Sequence, residues 1–306
     1  MAIRKASSAK KKTLTLPPFL QKGDAIGIAT PASPYKPELF QAGIEMLREW
    51  GFKVTLSRKV LRKGYLAGSD QERADELMGF FENPAIKAIL CARGGYGAMR
   101  ILDLLDFKKI QKEPKLFMGF SDITVLSLAL WKKAGLMSFH GPMITTLPSL
   151  NRASISRFRS VLSGGYGLEL PLDKKKASPG RSTEGILWGG NLTLLVHLLG
   201  TPYEPDWDGA ILFLEDCGEA PYRLDRLFTH LKLRGVFEKI SAVLLGEFTD
   251  PKNALINPRF FKHWLGGLDV PVWTGLPIGH GRRNISLPVG APAYLDAEKG
   301  LLSVAL

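Results

Sequence analysis

From Asp24 onward the sequence alternates short apolar runs with amphipathic stretches, and this alternation limits the fold more than any other feature. DAIGIA (24–29) reads as a buried strand, 37–50 as a helix and FKVTL (52–56) as a strand. A helix over 69–81 follows, with Ser69 as N-cap and Glu72 at the capping-box spacing. AIKAILCA (85–92), a helix after Gly97, LFMGF (116–120) and a helix over 122–133 continue the series. Strands that alternate with helices predict a parallel sheet covered on both faces, whose ligands sit outside the carboxyl ends of its strands.

The pattern weakens over 146–182, where Pro148, Gly164, Gly165, the run 174–176, Pro179 and Gly180 read as a crossing that holds one helix near 153–162. A second periodic region follows. It contains a strand ending at Trp188, a helix from Asn191, a strand AILFL (210–214), a helix over 222–233, a strand SAVLLGEF (241–248), a helix near 258–265 and a Gly/Pro-rich loop over 275–292. With 306 residues, about two domains of ordinary size are expected. The reading divides the chain into a basic, flexible tail (1–16), an N-terminal α/β domain (17–145), a linker (146–182) and a smaller C-terminal domain of mixed α/β type (183–306).

Lysine and arginine outnumber acids by 41 to 29, a formal charge of +12 that raises the question of nucleic acid. Arg4, Lys5, Lys10, Lys11 and Lys12 carry five of those charges, and aromatic residues are not interleaved with them. The tail reads as a solvated basic segment rather than a secretion signal, since Thr15, Pro17 and Pro18 interrupt the apolar stretch before Lys22. No run approaches the roughly 18 apolar residues of a spanning helix. Cys91 and Cys217 form neither a disulfide framework nor a zinc pattern, and a reducing, cytoplasmic setting is expected.

Four strand-end segments carry chemistry. RGGYG (93–97) can point successive backbone N–H groups at one anionic atom, although a tight strand-to-helix turn would look the same. GFSD (119–122) puts Ser121 where the chain bends into a helix, beside the Asp122 N–H; this suits a nucleophile, and equally a helix cap. Glu215, at the end of AILFL, is a carboxylate able to orient a histidine. His280 lies between glycines in the 275–292 loop, whereas His197 and His230 fall within amphipathic helices; His140, in FHGP, is the competing base. Together these supply what acyl transfer requires: a hydroxyl, an imidazole, an acid and oxyanion donors. Arg93, Arg282 and Arg283 are candidates for holding a substrate carboxylate, and Trp188 for stacking on a flat or apolar ligand group.

The segments GDAIGIATPASP, RADELMGFFENPAIKAILCARGGYGAMRILDLLDF, GFSDITVL, FHGPM, WGGNLTLL, FLEDCGEAPYRLDRLFTHL and GLPIGHGRRNISLPVG occur in order between residues 23 and 290. In this the chain resembles the LD-carboxypeptidases, a serine-peptidase family that includes murein tetrapeptide carboxypeptidases and microcin C immunity peptidases. The resemblance implies a doubly wound, flavodoxin-like parallel-sheet domain followed by a smaller mixed domain. It also implies a triad of Ser121, His280 and Glu215 split between the domains, with oxyanion donors at Asp122, Gly94 and Gly95. A homodimer without metal or organic cofactor is expected, acting in the cytoplasm on a small peptide, with neither nucleic acid nor membrane as partner. The implied reaction releases terminal D-alanine from murein tetrapeptides during peptidoglycan recycling. Cleavage of a microcin-type peptidyl nucleotide is the alternative, disfavoured by the compact segment 250–273, and a non-enzymatic anion-binding module is the third reading.

Overall fold

A computed structural model describes residues 14–57, 64–178 and 180–306. Most of the expected basic tail lies outside the described residues; within it, Thr15 accepts from the Met137 N–H at 3.0 Å and donates to the Gly135 carbonyl at 2.9 Å.

Two sheets form the framework. The first contains β1 (Ala25–Ala29), β2 (Lys53–Leu56), β3 (Ile86–Cys91), β4 (Leu116–Gly119) and β5 (Ser138–His140). The second contains β6 (Leu168–Pro171), β7 (Thr183–Asn191), β8 (Ile211–Asp216), β9 (Ala242–Phe248) and β10 (Val272–Thr274). Of the last three strands, β11 (Leu287–Val289) returns to the first sheet, whereas β12 (Ala291–Asp296) and β13 (Leu301–Val304) join the second. The strand orders are β11-β5-β4-β3-β1-β2 and β10-β9-β8-β7-β12-β13-β6.

β1 to β5 pair in parallel, and β11 pairs antiparallel with β5, so the first sheet is mixed rather than purely parallel. The expected loop over 275–292 therefore contains a strand. Pro288 conceals it in the sequence, yet a proline that lacks an N–H is tolerated because β11 is an edge strand. The linker contributes too, since β6 pairs with β13 at the other sheet's edge.

The helices follow their sequence signals. α1 (Pro37–Glu49) starts on proline and buries Phe40, Gly43, Ile44 and Leu47, one stripe at helical spacing. α2 (Asp70–Glu82) begins with the expected capping box: the Ser69 hydroxyl accepts from the Glu72 N–H, and the Glu72 carboxylate accepts from the Ser69 N–H at 3.0 Å. α3 is Phe107–Lys112. The helix expected over 122–133 is instead a 3-10 turn at Ser121–Ile123, α4 (Thr124–Ala129) and a π-helical turn at Leu130–Ala134. The helix after Gly97 is likewise 3-10, over Ala98–Leu104. α5 (Arg152–Leu162), α6 (Leu192–His197), α7 (Pro221–Leu233) and α8 (Arg259–Leu265) complete the set. Among the described residues no helix is long and apolar enough to cross a membrane.

β7 extends three residues beyond its expected end at Trp188, through Gly189 and Gly190 to Asn191. Gly190 has φ +138, and a Cβ there would stand 2.6 Å from Thr124 Oγ1. Its lack of a side chain lets the end of β7 press against α4, where the Asn191 N–H donates to Thr124 Oγ1 at 3.0 Å. The second sheet is thereby fixed against the turn that carries Ser121.

Candidate active site

Ser121 sits directly after β4, in the turn between that strand and α4. Its φ of +61 is left-handed, which among the described non-glycine residues only Asn253 shares. Such a conformation is strained for an L-residue and is kept where the surroundings enforce it. The preceding Phe120 is extended and the following residues are helical, so the chain bends sharply at the serine.

The RGGYG loop closes over this turn. A Cβ on Gly94 would lie 3.1 Å from Ser121 Cβ and 3.3 Å from both Ser121 Oγ and the Asp122 nitrogen, so a side chain there would crowd the serine. The loop is held from two sides. Tyr96 N–H donates to Ser33 Oγ at 3.0 Å, and Ala98 N–H donates to Asp122 Oδ2 at 2.8 Å. Burial raises the Asp122 carboxyl above its usual pKa, against the Ala98 hydrogen bond that lowers it. Asp122 thus uses its side chain to anchor the loop.

Glu215 lies inside β8 rather than beyond it, next to Asn191 of β7 in the parallel register. Its side chain is fully buried, and Oε2 lies 2.8 Å from His280 Nδ1. An ionised carboxylate only accepts, so Nδ1 carries a proton, and in the neutral ring Nε2 has its lone pair. Burial works against charge on either partner. For Glu215 the attraction of His280 and the hydrogen bond to it prevail and lower the carboxyl pKa. For His280 burial is outweighed by the Glu215 carboxylate together with a hydrogen bond to Cys217, and the imidazole pKa is raised. The His280 side chain remains 26% exposed, and its ring packs against Phe120 with centroids 4.8 Å apart.

Ser121, Asp122, Gly94, Gly95, Arg93 and His280 all line one cleft of about 760 Å³ between the two sheets. The structure does not bring the other expected ligand-binding residues there. Trp188 is buried to 1% exposure, pairs with Trp207 at 4.8 Å and is not part of the cleft lining. Arg282 donates to the Ser149 carbonyl at 3.3 Å and Arg283 pairs with Glu247 at 3.5 Å, both outside the lining.

Sequence reasoning passed over the support beside the Glu215–His280 pair. Asp216 Oδ1 accepts from Asn191 Nδ2 at 2.7 Å and from the Cys217 N–H at 2.9 Å. Its Oδ2 accepts from the N–H and hydroxyl of Thr193 at 3.0 and 2.7 Å. Burial and the Glu215 charge push the Asp216 carboxyl up to about 6 despite these donors. The adjacent acids in LEDC and the asparagine that closes GGN were the available signals.

The sequence pattern of the LD-carboxypeptidase N-terminal domain matches residues 26–141, and that of the C-terminal domain matches 184–295. A probable murein peptide carboxypeptidase of Bacillus subtilis is 38% identical over 92% of each chain. The crystal structure of muramoyltetrapeptide carboxypeptidase from Oxalobacter formigenes superposes with a TM-score of 0.81 at 35% identity, over 92% of this chain and 97% of that one. The microcin immunity protein MccF, in complex with glutamyl sulfamoyl guanosine, superposes with a TM-score of 0.87 at 26% identity, over 95% and 98%. Both domains, in order and over nearly the full length, place this chain in the LD-carboxypeptidase family of peptide hydrolases.

Proposed function

We propose that the protein is a serine LD-carboxypeptidase that releases terminal D-alanine from murein tetrapeptides. The observation that carries this reading is the Glu215–His280 hydrogen bond of 2.8 Å at the wall of the cleft that Ser121 enters from a strained turn. In this reading His280 Nε2 takes the Ser121 hydroxyl proton as Oγ attacks the scissile carbonyl. The backbone N–H groups of Asp122, Gly94 and Gly95 receive the oxyanion. The tetrahedral intermediate collapses, the C–N bond breaks, and His280 returns the proton to the departing amine of D-alanine. Water, deprotonated by the same imidazole, then cleaves the acyl-serine ester and frees the tripeptide.

Arg93, on the cleft rim, serves as receptor for the terminal carboxylate. The parallel order β2-β1-β3-β4-β5 supports a doubly wound first domain, whose carboxyl edge is where such folds bind ligands. Cys91 and Cys217 are free thiols, which suits a cytoplasmic role in peptidoglycan recycling. By family resemblance the working form is a homodimer. A second reading, cleavage of a peptidyl or aminoacyl nucleotide, draws on the overlay with MccF. The compact stretch between β9 and β10, which holds little besides α8, favours the murein peptide.

Mass-spectrometric incubation with L-alanyl-γ-D-glutamyl-diaminopimeloyl-D-alanine tests the proposal. Tripeptide and free D-alanine are expected. An intact tetrapeptide beside a hydrolysed aminoacyl sulfamoyl nucleotide would overturn it in favour of the second reading.

A further inference from the structure

Among the buried polar atoms of the described residues that lack a hydrogen-bond partner are two behind the cleft residues Phe120 and His280: Oε1 of Glu215 and Nε2 of His140. A fully buried carboxylate oxygen is costly to leave unpaired, and so is a buried ring nitrogen. The two residues are neighbours. His140 ends β5 opposite Gly119 of β4 and Leu287 of β11, neither of them ionisable. Its ring stands 5.3 Å from Phe213, two residues before Glu215 on β8, and 5.8 Å from Phe120, the residue before Ser121. Phe120 in turn packs on His280. His140 is therefore wedged between the strand end that presents the serine and the strand that carries the acid.

Its charge state is fixed by this setting. The ionisable groups that act on His140 are Glu215 and His280; those that act on Glu215 are His280 and His140, with Asp216 adjacent and the Asn191 amide lowering the Glu215 carboxyl further; those that act on His280 are Glu215 and Cys217. Burial, with a smaller repulsion from His280, outweighs the attraction of Glu215 and pushes the His140 imidazole down to about 4. At neutral pH the ring is uncharged, so it cannot substitute for His280 as a second cation and donates from one nitrogen only.

We propose that His140 is a positioning residue for the acid of the site: its Nε2–H donates, through one buried water, to Oε1 of Glu215. The carboxylate is then held by both oxygens, Oε2 on His280 and Oε1 on the other domain's sheet. The donor also draws charge away from Glu215, so the carboxylate grips the imidazolium proton less tightly and His280 returns sooner to its basic form. A single hydrogen-bonded path thus runs from the first sheet into the acid of the second. The proposal rests on reading Glu215 and His280 as the orienting acid and the base.

The test uses the full-length protein with two variants. His140→Phe keeps a ring between Phe120 and Phe213 and removes the donor, whereas His140→Gln keeps a donor. His140→Phe is expected to lower kcat at least tenfold with KM little changed, and to move the acid limb of kcat/KM to higher pH. His140→Gln is expected to recover most of both. A His140→Phe enzyme within twofold of wild type and with an unmoved limb overturns the proposal, and so does a His140→Gln enzyme as impaired as His140→Phe. ¹⁵N NMR of the histidine-labelled wild-type protein needs neither variant to fold. A neutral His140 ring protonated at Nε2 is expected, and protonation at Nδ1 alone overturns the proposal. Retained D-alanine release by Ser121→Ala would instead overturn the underlying assignment of the site, a distinguishable failure.

Discussion

Replacing Glu215 with glutamine keeps the shape of a fully buried side chain and removes its charge. The Oε2···Nδ1 distance of 2.8 Å puts the centres of charge roughly 4 Å apart, worth about 4 kcal/mol at an effective dielectric constant near 20. That corresponds to about 3 pKa units at 1.36 kcal/mol each. The 26% exposure of His280 lets solvent screen part of this, leaving about 2 units. The sign follows from the charge. Glu215 stabilises the imidazolium, so the wild-type base is freed only above the ordinary histidine value of 6.5, and kcat/KM falls as pH drops through that raised pKa. In Glu215→Gln the limb should descend by about 2 units. The amide also no longer enforces a proton on Nδ1, so kcat should drop by about 10³–10⁴. The assay is D-alanine release from the tetrapeptide between pH 5 and 10, with thermal melts as the folding control. A limb within half a unit of wild type and a kcat within tenfold would refute the pairing as the source of catalysis.

Ser121→Ala should abolish D-alanine release and labelling by a fluorophosphonate while leaving the melting temperature close to wild type; persistent labelling would locate the nucleophile elsewhere. Gly190→Ala should cost about 2–4 kcal/mol in urea unfolding, since a methyl group would meet Thr124 Oγ1 in a left-handed conformation. An unchanged midpoint would show that β7 and α4 are not pressed together there. Arg93→Gln should raise KM about tenfold with kcat retained, as expected when a charge-assisted contact to a terminal carboxylate is lost. An unchanged KM, read from initial rates, would assign the carboxylate to another group.

The parts of the site that were legible in the sequence are those where backbone and chemistry coincide. Ser121, His280 and the RGGYG glycines all stand at breaks after apolar runs, where an α/β chain exposes its functional groups. Glu215 was identifiable as a residue, but not as buried within β8, because an acid after AILFL reads as the end of a strand. Gly189 and Gly190 read as a stop after Trp188. Only the Phe213 carbonyl beside Gly189, and Thr124 beside Gly190, explain why the strand continues without side chains. Trp188 illustrates the opposite limit: an aromatic beside a Gly-rich site suits stacking equally well, and its burial against Trp207 depends on a residue 19 positions away. Arg282 and Arg283 are near His280 in sequence, yet their partners, the Ser149 carbonyl and Glu247, turn them out of the cleft. The three-residue strands β5 and β11 carry too little periodicity to be read at all.

The return of β11 to the first sheet has a consequence for how the molecule is made. Until residues 287–289 emerge from the ribosome, the strand carrying His140 is an open edge, its backbone free to pair with any other unfinished chain. The second sheet must meanwhile assemble around β7, β8 and β9 while it awaits β12 and β13. The strands that follow the His280 loop therefore complete both sheets. Ser121 and His280 come to share a cleft only once residue 280 and the strands that follow it have been made.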